Sequence, residues 1–177
     1  AGRMDNELEA TGKESNPTIL PLTKEPFGTP PPLDHPPNRD RRITLVLTKT
    51  VNDSMPGTAA FVSACNFHPR RTFAASNEDE IIFARVPARS ERPSDWRRSM
   101  RATLVHETKH LASYAERIAR GNGFEEPWLE EATARVAEEL YARTFVTGQA
   151  NAALGYEQTV GCELRHSDDR PLVMFKH

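Results

Sequence analysis

Two histidines four residues apart, with a glutamate directly after the first, stand in the stretch LVHETKHLAS at residues 104–113. On an α-helix, residues four apart lie one turn above each other, so His106 and His110 can aim their imidazoles at one point. A zinc ion requires such an arrangement, because two nitrogen ligands about 2.0–2.1 Å from the metal must converge from a rigid base. Glu107 is turned by about 100° from His106. It cannot occupy the same point, but its longer side chain can reach a water there and serve as a base. The pattern H-E-x-x-H thus divides into ligand, base and ligand. The competing reading is a polar patch on a solvated helix face, which is unremarkable in a chain that is 27% charged.

The helix that must hold these residues has its own signature. Met100, Leu104, Leu111, Ala115 and Ile118 recur at helical spacing and form one apolar stripe, with the two histidines beside it at the edge of a buried surface. The helix is expected from Asp95 to Arg120, with Pro93 and Ser94 at its start, Ser94 as its cap, and GNG at 121–123 as its end. A second helix runs from about Trp128 to Phe145, with Pro127 where a first turn tolerates proline. The connection GNGFEEP is short enough to make the two helices antiparallel neighbours.

A zinc hydrolase needs a third protein ligand and an open fourth position. A carboxylate in the first turn of the second helix can face the histidines, and Glu130 and Glu131 both stand there. Neighbours on a helix point about 100° apart, so only one of them can turn to the site. Leu129, Val136 and Leu140 read as the buried stripe of this helix, which groups Glu131 with Arg135 and Glu138. That choice makes Glu131 the ligand and Glu130 a solvated carboxylate favoured by the helix dipole. Glu138 reads as solvated or paired with Arg135, with the orienting of a histidine as the alternative. The small residues Ala132, Ala134 and Ala137 permit close helix contact.

Before the helices, RITLVLTKTV at 43–51 reads as a strand covered on both faces, and TAAFVSACNF and DEIIFARVP read as two more. Strands first and helices afterwards make an α+β arrangement. Residues 1–42 are a proline-rich extension or linker, with Pro17, Pro21, Pro26, Pro30, Pro31, Pro32, Pro36 and Pro37 holding the backbone extended. Residues 43–177 are read as one domain, as suits a chain of 177 residues that is 37% hydrophobic. A net charge of -2 from intermixed residues supplies no field for a phosphate backbone, so nucleic acid is not an expected partner. No apolar run approaches the roughly 20 residues that span a bilayer.

With both helices in view, LVHETKHL followed by WLEEATARVAEE resembles the gluzincin metallopeptidases. These pair H-E-x-x-H with a downstream glutamate in a W-L-x-E-[GA]-x-A-x-x-x-E setting, met here by Trp128, Leu129, Glu131, Ala132, Ala134 and Glu138. The stretch SNEDEIIFARVP resembles the strand region of the hyicolysin-like branch of these bacterial exported peptidases. The resemblance covers about residues 43–146. It implies a zincin-like catalytic domain in which His106, His110 and Glu131 hold Zn2+ and Glu107 activates the zinc-bound water. The implied activity is that of a zinc metalloendopeptidase acting on a peptide or protein, exported to the cell envelope or beyond, with a disulfide between Cys65 and Cys162. The alternative is an inert zinc-binding or interaction module of the same fold. Peptide deformylase also uses H-E-x-x-H, but its cysteine ligand precedes the helix, whereas GCEL follows it here. An extended substrate could pair with an edge strand, either TAAFVSACNF or DEIIFARVP. Tyr141, Tyr156 and His166 are candidate oxyanion donors, and no spacing singles one out.

Overall fold

The computed structural model describes residues 42–147 and, outside that span, Asn6 and Glu9. Most of the proline-rich segment, Tyr156, Cys162 and His166 therefore lie outside the described residues.

The first strand is shorter than its β-branched sequence suggests. Strand β1 covers Thr44–Leu47, and helix α1 follows at once over Lys49–Ser54. Thr48 makes the break. Its backbone is extended and its hydroxyl accepts the Thr50 N–H at 3.2 Å, so it caps the helix that KTVNDS then forms. β1 is also half-buried throughout, not covered on both faces. Strand β2 takes only Ala60–Val62, after which Ala64–Phe67 tighten into a 3-10 turn that drives Phe67 into the core at 1% exposure. Strand β3 covers Ile81–Ala84.

These strands form one sheet in the order β1-β3-β2. β3 runs parallel to β1, with Leu45 opposite Ile82, and antiparallel to β2, with Phe61 opposite Phe83. The Phe61 and Phe83 rings stack across that pair at 5.2 Å. Paired on both sides, β3 has no free edge. Of the two stretches considered for strand addition, only the one containing β2 remains.

Helix α2 spans Pro93–Ala119 and helix α3 spans Pro127–Thr147. Pro93, whose missing N–H costs nothing in a first turn, begins α2, and Arg92 is the extended residue before it. Ser94 therefore lies inside the helix and does not cap it. Gly121, at φ +67, turns the chain out of α2 in the left-handed conformation open to glycine. Met100, Leu104, Leu111 and Ala115 are buried as their spacing predicts, joined by Trp96 and Val105. They meet Phe67, Ile82 and Ala84 from the sheet side and Ala137 and Tyr141 from α3. The architecture is α+β, a small sheet followed by two long helices, and is consistent with a zincin-like fold. No helix among the described residues is long and apolar enough to cross a membrane.

The buried face of α3 differs from expectation by one residue. Glu130, Ala134, Ala137, Glu138 and Tyr141 are buried, whereas Val136 is exposed and Leu129 and Leu140 are only partly covered. The rule that apolar residues mark the buried stripe fails here because the facing surface of α2 is polar. Opposite histidines and a lysine, carboxylates are stabilised where leucines would leave donors unpaired.

Candidate metal centre

Each histidine of α2 is held through its inner nitrogen by a buried carboxylate of α3. His106 Nδ1 lies 2.6 Å from Glu138 Oε1, and His110 Nδ1 lies 2.8 Å from Glu130 Oε1. A carboxylate accepts, so each Nδ1 donates its proton and each Nε2 is the atom left for a metal or for a second proton. Those outer nitrogens converge. The two Nε2 atoms are 2.9 Å apart, and the Glu131 carboxylate reaches His106 Nε2 at 3.2 Å and His110 Nε2 at 3.4 Å. Tetrahedral ligands about 2.0–2.1 Å from a zinc ion stand roughly 3.3 Å from one another. The three separations bracket that value, and one ligand atom from each of His106, His110 and Glu131 lies within 4.8 Å of the others.

Charge points the same way. Glu107, Glu130, Glu131 and Glu138 set four carboxylates around the histidines, with Lys109 and Arg135 as the basic partners of Glu130 and Glu138. Two negative charges are left over, as a divalent cation between neutral imidazoles would require. In the metal-free protein protons take part of that role. Burial opposes the charged form of His106, but Glu131 and Glu138 outweigh it and raise its pKa to about 9. His110 is raised likewise, against burial, by Glu130 and Glu131. At pH 7 a metal entering the site would displace a proton, since the raised pKa favours protonated His106 up to about pH 9. The affinity of the site for a metal would accordingly rise with pH up to about 9. Calorimetric titration in buffers of different ionisation enthalpy should show at least about half a proton released per zinc at pH 7. No dependence on the buffer would contradict the coupling.

Glu107 is buried at 6% exposure and lines a cavity of about 440 Å³ beside the histidines. Burial raises its carboxyl above the ordinary range; His106 and His110 pull it back, and Glu131 and Glu138 push it further up. Gly57–Val62 line the same cavity, so β2 borders it. Glu131 is the exposed member, at 60%, and faces both the histidines and solvent.

The structure thus brings His106, Glu107, His110 and Glu131 to one cavity, and it corrects the neighbouring assignments. Glu130 is no solvated carboxylate. At 4% exposure it accepts from His110 Nδ1, from Lys109 Nζ at 2.9 Å and from Ser113 Oγ at 2.7 Å. Burial opposes its ionisation, yet these donors hold its pKa down to about 2. If the site holds a metal, Glu130→Ala should weaken its binding by roughly 10–100-fold, the scale for losing the partner of a ligating histidine. An unchanged affinity in a competition titration would mean that His110 needs no such partner. Glu138 does pair with Arg135, at 3.0 Å, but it is buried and also holds His106, so it is not solvated. Tyr141 is packed in the core at 4% exposure and does not line the cavity. Tyr114 does, and sequence reasoning passed it over. Its ring stacks on His110 at 5.8 Å, and burial, then Glu130, Glu131 and Glu107, push its phenol up to about 12. Its place one turn after His110 was the available signal. Cys65 is a free thiol 3.0 Å from Ser63 Oγ, and Cys162, its expected partner, lies outside the described residues.

The chain is similar to a neutral metalloprotease, ShpI of Staphylococcus hyicus, with 26% identity over 143 residues. The match takes in 77% of this chain and 31% of that protein, so the chain spans about a third of the relative's length. No family model and no solved structure matches the chain.

Proposed function

We propose that this chain is a zinc-dependent metallopeptidase in which His106, His110 and Glu131 hold the metal and Glu107 moves the proton. The observation that carries the reading is the pair of clamped imidazoles. With Nδ1 of His106 given to Glu138 and Nδ1 of His110 given to Glu130, the free nitrogens and Glu131 meet at one point beside a cavity. The likeness to a neutral metalloprotease agrees with a peptidase, and the donor set of two imidazoles and one carboxylate suits zinc in a hydrolytic site.

When bound, zinc would supply Lewis acidity, drawing electron density from a carbonyl oxygen and making water acidic near neutral pH. Glu107 accepts the proton of the attacking water and returns it to the leaving amine, and a carboxyl raised by burial is suited to both transfers. Glu130 and Glu138 keep the imidazoles in the orientation that aims Nε2 at the metal. Among the described residues β2 lies at the edge of the sheet and borders the cavity, so an extended peptide can add to it and be read mainly through its backbone. Residues 43–177 form the catalytic domain, and the protein acts outside the cytoplasm, as the exported peptidases it resembles do.

The test is cleavage of an unfolded protein such as casein by the purified chain. Hydrolysis should stop with a chelator and return with about one equivalent of zinc. Zinc bound without any turnover would leave the inert module standing, and hydrolysis indifferent to chelation would exclude the metal mechanism.

A further inference from the structure

We propose that Lys109 is a positioning residue for the metal centre, acting through Glu130 to fix the rotation of α3 that brings Glu131 to the histidines. The inference rests on the zinc reading above. Lys109 is 5% exposed, and lysines are almost never buried to that degree unless paired. Its Nζ lies 2.9 Å from Glu130 Oε1 and donates to the Glu130 backbone oxygen at 3.3 Å. His110 and Ser113 complete the grip, so three side chains of α2 hold one carboxylate of α3.

The helix needs such a pin. The other buried residues in the first turns of α3 are Ala132 and Ala134, whose methyl groups allow close approach but do little to fix rotation. Glu130 and Glu131 point about 100° apart, so holding the first inward sets the direction of the second. The clamp on His106 differs. Glu138 also crosses to α2, through His106 Nδ1 at 2.6 Å, but it pairs with a cation of its own helix, Arg135, three residues away, whereas Glu130 takes its cation from α2. Without the lysine charge, Glu130 would be a buried carboxylate with only neutral donors, and turning it to water would release His110 Nδ1 and rotate Glu131 away. The H-E-T-K-H stretch therefore supplies two candidate ligands, the base and the pin.

The test is a double-mutant cycle on the full chain, with Lys109→Met, Glu130→Gln and the pair combined. Zinc affinity is read by competition titration, and ligand geometry by the visible absorption of the cobalt-substituted protein. Lys109→Met should weaken zinc binding by at least about tenfold and alter the cobalt bands. In the Glu130→Gln background the same change should cost less than about threefold, because the lysine has no carboxylate left to hold. Equal losses in both backgrounds, or no loss in either, overturn the proposal. If Lys109→Met alone does not melt cooperatively, Glu130→Gln and the double variant decide: similar affinities support the pin, and a further loss beyond about threefold overturns it. Wild-type chain that takes up no zinc overturns the metallopeptidase reading and this inference together, whereas a zinc-binding wild type with an additive cycle overturns only the inference.

Discussion

Glu107→Gln is expected to retain one zinc per chain and to hydrolyse an unfolded protein at least about a hundredfold more slowly than wild type. Glu107 stands one residue past His106, turned away from the point where the nitrogens meet, and lines the cavity. Its assigned work is proton transfer, a contribution of about 10²–10⁴ in rate. Glutamine has nearly the same shape and can still hydrogen-bond a water, but it cannot take up a proton. Metal content and kcat/KM measured on the same preparation separate the two roles. Near-normal hydrolysis by a zinc-loaded variant would show that the base lies elsewhere.

His106→Ala should lose metal and activity together. Structural zinc sites with four protein ligands bind with about 10–16 kcal/mol, so one ligand is worth about 3 kcal/mol, roughly a hundredfold or more in affinity. Here the loss extends past the metal, because Glu138 would be left buried with Arg135 and without the Nδ1 donor at 2.6 Å. The variant should therefore also melt at a lower temperature than wild type even in the presence of chelator. A competition titration that finds wild-type zinc affinity in His106→Ala would remove this residue from the ligand set.

The helices were legible because their signals are long and consistent. In α2, apolar residues at Met100, Leu104, Leu111 and Ala115 recur at helical spacing, and Pro93 and Gly121 punctuate its ends. The pairing of His106 with His110 follows from helix geometry alone, and the approach of Glu131 follows from a short antiparallel connection. Of the groups behind the histidines, Glu138 was legible only as an alternative and Glu130 was hidden, for a definite reason. Burial in α3 was inferred from Leu129, Val136 and Leu140, whereas Glu130 and Glu138 take the buried face because their partners are His110, Lys109 and His106. Hydrophobic periodicity carries no information about a polar interface whose charges are satisfied across two helices. The sheet was read too long for a different reason. The β-branched run before Val51 outweighs the cap that Thr48 provides, and the structure resolves the conflict in favour of the local hydrogen bond.

The most direct test of the account is a crystal structure of the zinc-loaded chain with anomalous diffraction measured on either side of the zinc absorption edge. One peak is expected, with His106 Nε2, His110 Nε2 and a Glu131 oxygen about 2.0–2.2 Å from it, and with Glu130 and Glu138 still on the Nδ1 atoms. A peak coordinated by Glu130 or Glu138, or crystals grown with excess zinc that show none between the histidines, would contradict it.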